Sequence, residues 1–301
     1  MRVLFMGELD IAGQMFMVSK ALRRLGIEAR CVTLKQTYLE YPMDIYYPTC
    51  DRDELKSLIE EADVFVFCNY IPVVPELSMS KIRRYVLHVH GSFARMNQDK
   101  LTVMWIRTGA MIVSRADPTV FTKVPCVVIP LTIDPEYLPK PNRNPKKIRV
   151  CHSPTNRQFK STDVFLEVME EIEKEYPYVE TVLIEGKPWM ECLSIKSRCD
   201  ICFDHLGRVE GVYGLAGIEG MAFGQPTLAY VSTLAEVYLP SPPIVNVHDK
   251  ESLKKALLRL IRDDDLRKEI GERSMEYVKK VHYPEPTGVK WLKLLTSQVK
   301  K

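Results

Sequence analysis

Short apolar runs and amphipathic segments alternate along the whole chain. Apolar runs of about five residues are typical of buried parallel strands, and apolar residues spaced three or four positions apart are typical of helices. In the first half this pattern predicts strands at residues 2–6, 27–32, 64–68, 85–90, 110–114 and 126–129, with helices at 14–25 and 53–61. In the second half it predicts strands at 148–151, 179–184, 200–203 and 227–230, with helices at 161–175, 213–223, 250–262, 264–281 and 287–300.

The alternation of strand and helix predicts an α/β fold with two doubly wound, Rossmann-like parallel sheets. The two arrays are separated by residues 139–149, where three prolines lie among five basic residues and no acidic one, a composition typical of a linker. We therefore expect a first domain over residues 1–140, a second over 146–284 and a terminal helix over 285–301. A length of 301 residues suits two domains of ordinary size.

Composition and charge narrow the class of protein. Hydrophobic residues make up 46% and charged residues 27%, which excludes a disordered or collagen-like chain, and a formal net charge of +3 is too small to indicate nucleic-acid binding. The longest apolar stretch, residues 64–75, is interrupted by Asn69, Pro72 and Pro75 and is shorter than the roughly 18 residues of a membrane span. Glu8 and Asp10 interrupt the apolar N-terminus too early for a signal peptide, so we expect a cytoplasmic protein.

The eight cysteines have no spacing that indicates a disulfide framework. The one Cys-x-x-Cys pair, Cys199 and Cys202, falls in a segment that is predicted to be a strand. Residues three apart on a strand point to opposite faces, so these two thiols are not expected to hold one metal ion. We expect buried free thiols instead.

Ligands of doubly wound sheets bind at the carboxyl ends of the strands, and residues 151–162 (CHSPTNRQFKST) lie at such an end. Arg157 offers a planar fork for two oxygens and Lys160 a mobile charge, next to the free N–H groups of a predicted helix start. The segment predicts an anion site that suits a diphosphate. A solvated basic loop is the alternative.

Residues 204–226 form a glycine-rich loop that leads into a helix. Gly211 and Gly214 would let the backbone approach a ligand closely. Glu219 lies within the helix among small residues, where its carboxylate would accept hydrogen bonds from a pair of hydroxyls such as those of a ribose. A solvent-facing helix acid is the alternative.

Two histidines alternate on a predicted strand that ends at residue 90. His88 and His90 therefore share a face, but no clear third ligand lies nearby to complete a metal site. His90 at the strand end predicts a substrate contact, with a buried, hydrogen-bonded histidine as the alternative. The loop at residues 7–13 (GELDIAG) lacks the GxGxxG pattern, so Gly13 either admits a phosphate or belongs to an ordinary tight turn.

Together these segments resemble the GT-B glycosyltransferases, and among them the family 4 type. The similarity is strongest between residues 150 and 230, in HSPTNR with the following KST, and in DICFDH with the later YGLAGIEGMAFGQP. The segment HGSFAR, residues 90–95, resembles the strand-end histidine motif of the first half, and Gly13 lies where that half carries its glycine loop. The resemblance implies two Rossmann-like domains that face a central cleft, with a terminal helix packing back on the first domain.

The resemblance also implies a role for each matching residue. Arg157 and Lys160 would hold the donor diphosphate, and Glu219 the nucleotide ribose. The backbone at Gly214 and Leu215 would contact the phosphates. His90 would contact the donor sugar, and Gly13 would allow the diphosphate or the acceptor to approach closely. The implied reaction is transfer of a sugar, of the hexosyltransferase type, from a nucleotide-diphosphate donor with retained anomeric configuration.

One position departs from the family pattern. Many members carry two glutamates separated by seven residues, and here Gly211 stands at the first of these positions. Asp204, Glu210 or the backbone alone would take over its role, and we list Asp204 beside His90 as a catalytic candidate. No metal or other cofactor is expected, because the Asp-x-Asp sequences at 51–53 and 263–265 have the pattern of helix starts.

Two other functions stay open. A nucleotide-sugar epimerase would process the donor without an acceptor, and a non-catalytic relative would bind a sugar nucleotide or a partner protein without turnover. The acceptor class is also open between glycan, lipid and protein. The last helix carries an apolar stripe of Val289, Leu292, Leu295 and Val299 beside several lysines, so peripheral membrane contact is the alternative to packing on the first domain.

Overall fold

The computed structural model describes residues 1–82, 84–90, 96–108, 111–117, 124–207, 211–239 and 241–299. The chain divides into two compact units. The first combines Met1–Thr132 with Tyr283–Lys301, and the second is Ile133–His282. The chain passes from the first unit to the second between residues 132 and 133, several residues before the expected boundary at 140–146. It returns to the first unit between residues 282 and 283, two residues before the expected boundary at 284/285.

The first unit is built on a seven-stranded parallel sheet with the order β3-β2-β1-β4-β5-β6-β7. Its strands are β1 (Arg2–Gly7), β2 (Glu28–Thr33), β3 (Ile45–Tyr46), β4 (Val64–Cys68), β5 (Tyr85–Val89), β6 (Met111–Ser114) and β7 (Val127–Val128). Its helices are α1 (Gln14–Arg24), α2 (Arg52–Glu61), α3 (Gln98–Thr108) and α10 (Pro284–Val299). Strand β4 is buried along its whole length, which explains why it reads as a continuous apolar run rather than an alternating one.

The second unit is built on a five-stranded parallel sheet with the order β12-β11-β10-β8-β9. Its strands are β8 (Ile148–His152), β9 (Val179–Leu183), β10 (Ile201–His205), β11 (Thr227–Ala229) and β12 (Ile244–Asn246). Its helices are α4 (Thr162–Glu175), α5 (Trp189–Lys196), α6 (Leu215–Ala222), α7 (Thr233–Glu236), α8 (Lys250–Arg262) and α9 (Asp264–Val281). The prediction of two doubly wound parallel sheets is confirmed.

Each sheet has one point where the strand order reverses, and ligands of such sheets bind outside the carboxyl ends of the strands at that point. In the first sheet the reversal lies between β1 and β4, and in the second between β8 and β10. The loops that follow β8 and β10 contain Lys160 and Gly214, so the predicted anion site lies at the reversal of the second sheet.

The basic segment at residues 139–149 is anchored within the second unit rather than linking the two units. The guanidinium of Arg143 donates hydrogen bonds to the carbonyl oxygens of Cys199 at 3.0 Å and of Phe223 at 2.6 Å. The prolines exclude regular structure here, but the arginine ties the segment to the ends of α5 and α6.

The terminal helix α10 packs on α1 within the first unit. A Cβ atom at Gly288 would lie 3.4 Å from the Cβ of Ala21, so the two helices approach closely there. The buried face is carried by Trp291 and Leu295, whereas Val289 of the predicted stripe is 42% exposed. Within the described residues, every helix is too short or too polar to span a bilayer.

The expected placement of Cys199 and Cys202 on opposite faces of one strand is wrong. Cys199 precedes β10 in a turn closed by its N–H group, which donates to the carbonyl of Lys196 at 2.9 Å. Both thiols lie in one buried cluster with Cys151, because the turn brings Cys199 to the face that Cys202 occupies. The expectation of buried free thiols is confirmed, and no metal-binding group of three is found among the residues described.

Candidate functional site

The loop after β8, residues 153–161, is folded tightly by Asn156. The Asn156 side chain accepts from the N–H of Phe159 at 3.0 Å, and its carbonyl oxygen accepts from the N–H of Lys160 at 3.1 Å. The buried imidazole of His152 joins the strand end to the start of α4, with its Nε2 2.9 Å from Thr162 Oγ1. Burial lowers the pKa of His152 to about 4, so this ring is neutral at physiological pH.

Lys160 lies at the centre of the candidate anion site. Its ammonium is 2.8 Å from Oδ1 of Asp204 and is only 13% exposed, while Asp204 is fully buried. The other oxygen of Asp204 accepts a hydrogen bond from the backbone N–H of Gly214 at 2.5 Å. One buried carboxylate thus fixes both a cation and the residue that precedes α6, whose first N–H groups have no helical partner.

Charge interactions keep Asp204 ionised. Burial alone would raise the pKa of this carboxyl, but Lys160 and the neighbouring His205 together hold it well below its usual range. The imidazole Nδ1 of His205 is 3.3 Å from Asp204 Oδ2. Asp204 is therefore an anion that orients Lys160. Because it is buried, it differs from a catalytic acid that contacts its substrate at a solvent-exposed position.

Arg157 is held differently. Its guanidinium forms a bidentate pair with Glu185, with Nε–Oε1 and Nη2–Oε2 distances of 2.9 and 2.6 Å. A third contact joins it to Asp163 at 3.8 Å. The Arg157 side chain is 51% exposed, so the cation faces solvent at the strand-end loop while two acids neutralise it.

Glu219 is buried inside the second unit. Its Oε1 accepts from the indole N–H of Trp189 at 2.7 Å, and its Oε2 from the ammonium of Lys196 at 2.5 Å. The residue is 3% exposed and Lys196 is 0% exposed. The expected solvent-facing alternative for Glu219 therefore does not apply, and its ribose contact stays a prediction.

Glycines allow α6 to lie directly on the sheet. A Cβ atom at Gly220 would be 2.5 Å from the Cβ of Cys202, and one at Gly217 would be 3.2 Å from Oδ2 of Asp204. Larger residues would push the helix away from β10. The close packing places Gly214, the residue before α6, beside Lys160, whose Nζ would be 3.2 Å from a Cβ atom at this glycine.

In the first unit the two histidines share a face, as predicted. The rings of His88 and His90 have centroids 4.0 Å apart, and the backbone N–H of His90 donates to the side chain of Asn69 at 2.7 Å. Burial lowers the pKa of His90 to about 3, with a smaller contribution from Arg115. His90 is thus a neutral ring, and within the described residues its Nε2 has no hydrogen-bond partner.

Gly13 lies in the left-handed region with φ +64°, at the N-cap of α1. A Cβ atom there would lie 2.9 Å from the ring of Tyr41, so the tight turn needs glycine for both conformation and space. The carboxylate of Asp10 accepts hydrogen bonds from the N–H groups of Met15 and Phe16, at 2.8 and 3.0 Å, near the start of α1. The turn is therefore ordered by groups of the chain itself.

The fold brings together three of the predicted site residues, Lys160, Asp204 and Gly214. Arg157 pairs with Glu185, and Glu219 bonds to Trp189 and Lys196. Sequence reasoning missed those partners, although Trp189 and Lys196, seven residues apart, have the spacing of one helix face. Two parts of the sequence interpretation, Glu210 and residues 91–95 of the histidine motif, lie outside the described residues.

The two Asp-x-Asp sequences of this chain lie at the starts of helices α2 and α9, as expected. Asp51 caps α2 by accepting from the N–H groups of Asp53 and Glu54, and Asp263 caps α9 by accepting from the N–H of Leu266. These carboxylates satisfy free helix N–H groups.

No protein-family model and no curated protein sequence matches the chain. Solved structures do match over nearly its whole length. A sucrose-phosphate synthase from Thermosynechococcus elongatus has a TM-score of 0.63 at 13% identity, covering 99% of both chains. HepE from Anabaena, in complex with UDP, has a TM-score of 0.66 at 12% identity, covering 99% of this chain and 100% of that one. A variant of TarM from S. aureus, in a complex that includes UDP, has a TM-score of 0.65 at 10% identity, covering 98% and 99%. The chain shares the fold of these structures.

Proposed function

We propose that this chain, which has the GT-B fold of glycosyltransferases, transfers a sugar from a nucleoside-diphosphate donor to an acceptor. The observation that carries the proposal is the buried Lys160–Asp204–Gly214 arrangement at the strand-order reversal of the second sheet. It combines a fixed cation with a helix start, at Leu215, whose first N–H groups have no partner within the helix, which is the chemistry that recognises phosphate. The complexes of HepE and TarM with UDP support a nucleoside diphosphate as the ligand.

The same arrangement suits the chemistry of sugar transfer. When the bond between the anomeric carbon and the phosphate oxygen breaks, the electron pair stays on the diphosphate and its negative charge grows. Lys160 and the N–H groups at Leu215 would stabilise that charge without reorganising, an effect often worth about 10²–10³ in rate for one donor group. Arg157 would add a second cation by exchanging Glu185 for phosphate oxygens.

Two finer parts of the proposal rest on the family 4 resemblance. The neutral imidazole of His90 suits a hydrogen bond to a sugar hydroxyl rather than service as a cationic acid. Hexosyl transfer with retained anomeric configuration is the implied outcome, and NMR of the first-formed product reads that configuration directly. The acceptor, whether glycan, lipid or protein, is the substrate to be found by screening.

Binding is the first test. In calorimetry against UDP-, GDP- and ADP-sugars, the protein should bind at least one donor. Lys160→Met should lower the affinity for that donor by about 10–100-fold, because a hydrogen bond to a charged group contributes about 1.5–3 kcal/mol. Lys174→Met is the matched control, since Lys174 also lies 2.8 Å from a carboxylate oxygen, that of Glu170, but at the far end of α4.

A second variant separates binding from folding. Lys160→Met leaves Asp204 as a buried, uncompensated anion, so Lys160→Met combined with Asp204→Asn removes both charges and should restore the melting temperature but not the affinity. Full donor affinity in this double variant, or no binding of any sugar nucleotide by the unmodified protein, would refute the proposed site. Release of free sugar nucleotide isomers from donor alone would indicate an epimerase, and binding without transfer to any acceptor a non-catalytic protein.

A further inference from the structure

Helix α5 holds Glu219 between its first and last residues. Trp189 and Lys196 are seven positions apart, and both reach the same carboxylate, one to each oxygen. The ammonium of Lys196 also donates to the carbonyl oxygen of Ala216 at 3.1 Å. All three side chains are almost completely buried, with exposures of 3% for Trp189, 0% for Lys196 and 3% for Glu219.

The carboxylate of Glu219 keeps acceptor capacity. An ionised carboxylate has about four acceptor positions, and the side-chain donors described here use two, one on each oxygen. Each oxygen therefore has about one position left. Two adjacent acceptor positions match two neighbouring hydroxyls of a sugar ring. Because so little of Glu219 reaches solvent, an incoming hydroxyl pair displaces little water from it.

Net stability is a weak reason for this arrangement. Removing two opposite charges from water costs free energy that their attraction only partly offsets, so a buried ion pair stabilises a fold little compared with apolar residues of similar size. Burial alone would lower the pKa of the Lys196 ammonium, but the neighbouring Glu219 carboxylate raises it well above its usual range. The two hydrogen bonds from Trp189 and Lys196 thus fix the orientation of the Glu219 carboxyl group.

We propose that Trp189 and Lys196 are positioning residues that orient Glu219 to accept hydrogen bonds from the vicinal hydroxyls of the ligand's ribose. The inference rests on the proposed function, because the ribose belongs to the nucleoside-diphosphate donor. It adds that the indole N–H acts through Glu219, without touching the ligand. Its effect on affinity should therefore depend on the ribose hydroxyls.

The test compares Trp189→Phe with the unmodified protein on two ligands. Phenylalanine keeps an aromatic ring against Tyr137, whose centroid is 5.6 Å from that of Trp189, but removes the N–H donor. The ligands are the tightest-binding of UDP, GDP and ADP and the 2′,3′-dideoxy form of the same nucleotide. The unmodified protein should bind the dideoxy form about 10-fold more weakly, the loss expected for hydrogen bonds to a charged acceptor.

Trp189→Phe should lower the affinity for the parent nucleotide by about 10-fold. The affinity for the dideoxy form should stay within about 2-fold, because without the ribose hydroxyls the orientation of Glu219 no longer affects binding. Trp105→Phe is the control, a tryptophan change in α3 of the first unit that should leave both affinities unchanged. Equal weakening of both ligands, or none of either, would overturn the inference while the proposed function stands. No binding of any nucleotide by the unmodified protein would overturn both.

Fluorescence gives an independent readout. In the Trp105→Phe, Trp291→Phe background Trp189 is the only tryptophan, so tryptophan emission reports on it alone. The nucleotide should shift that emission, since hydroxyls that bind Glu219 change the partner of the indole N–H. Inorganic pyrophosphate, which lacks a ribose, should bind at Lys160 without shifting it. An emission change of the same size with pyrophosphate would contradict the assignment.

Discussion

Arg157 and Lys160 are both basic residues of one loop, yet their surroundings give them different tasks. Lys160 is mostly buried and is held in place by a buried acid before any ligand arrives. Arg157 is half exposed and pairs with Glu185 on the surface, where ion pairs typically contribute about 0–1 kcal/mol. If a phosphate binds at this loop, we expect it to displace Glu185 at little cost, so that Arg157 is the cation that moves.

Glu185→Gln should tighten binding of the sugar nucleotide by about 2–5-fold, because Arg157 then has no carboxylate to leave and one negative charge near the phosphates is gone. The measurement is calorimetric titration at low and at high salt. The gain should shrink at high salt, since exposed charges are screened there.

Glu180→Gln provides the matched comparison for this prediction. Glu180 pairs with Arg149 at 3.2 Å on the same sheet, away from the strand-end loop, so its removal should leave the affinity unchanged. Weaker binding in Glu185→Gln would show that the acid contributes to the site rather than competing with the ligand.

At the scale of elements, the packing of α6 on β10 decides where the candidate anion site lies. Gly220→Ala places a methyl group 2.5 Å from the Cβ of Cys202 and 2.8 Å from Oγ1 of Thr227. Alanine is the better helix former by about 1 kcal/mol, but forcing α6 off the sheet should cost more. The free energy of unfolding should fall by about 1–3 kcal/mol, as for other overpacked cores, and donor affinity should fall with it.

Gly288→Ala is the comparison for that change, measured by the same chemical denaturation. A Cβ atom at Gly288 would meet the flexible end of Leu25 at 3.2 Å, which a small side-chain movement relieves. Its effect should stay within about 1 kcal/mol, because the gain in helix propensity offsets the crowding. If both alanine variants have the same free energy of unfolding, Gly220 is not needed for the close approach of α6 to the sheet.

The elements that the sequence predicted correctly are those with a strong apolar pattern. Strand β4 and helices α8 and α9 have the predicted bounds, because burial on both faces or on one stripe determines their composition. Helix α5 was missed because it is only eight residues long and because its buried face, formed by Trp189, Leu193 and Lys196, includes a charged residue that interrupts the apolar pattern. The short strands β3 and β12 were missed because two or three residues carry no periodicity, and the equally short β7 and β11 were found only because they lie in the predicted apolar runs at 126–129 and 227–230.

The candidate site was predictable only where its chemistry is local. Lys160 and Arg157 stood out because cations next to a helix start form a recognisable pattern. The partners of Glu219 come from 30 and 23 positions earlier in the chain, and only the packing of α5 and α6 brings them to it. Tertiary contacts of this kind have no signature in a single sequence.

At the scale of the whole molecule, the two units depend on the chain in different ways. The second unit is one continuous segment, Ile133–His282, whereas the first needs residues from both ends of the chain. Two hydrogen bonds hold the crossing segments side by side. Thr132 Oγ1 is 2.9 Å from Thr287 Oγ1 in the first unit, and the N–H of Ile133 donates to the carbonyl of His282 at 2.9 Å in the second.

This division predicts which of the two units a substitution in the last helix destabilises. Trp291 of α10 is 1% exposed and packs edge-on against Phe5 of β1 and His88 of β5, with centroid distances of 6.1 and 4.9 Å. Trp291→Ala should destabilise the first unit by about 3–5 kcal/mol, the cost of a large cavity in a core. Native-state hydrogen exchange should show that loss at amides of β1 and β5.

Amides of β8 and β10 should keep their protection in Trp291→Ala, since the second unit has its own core and no residue from α10. Val289→Ala, at a position of α10 that is 42% exposed, should leave both units unchanged. Equal loss of protection in both sheets would mean that the units unfold as one, because a cavity in one core then lowers the stability of a single cooperative structure. Loss confined to the first sheet would show that the second unit keeps its stability independently of the first.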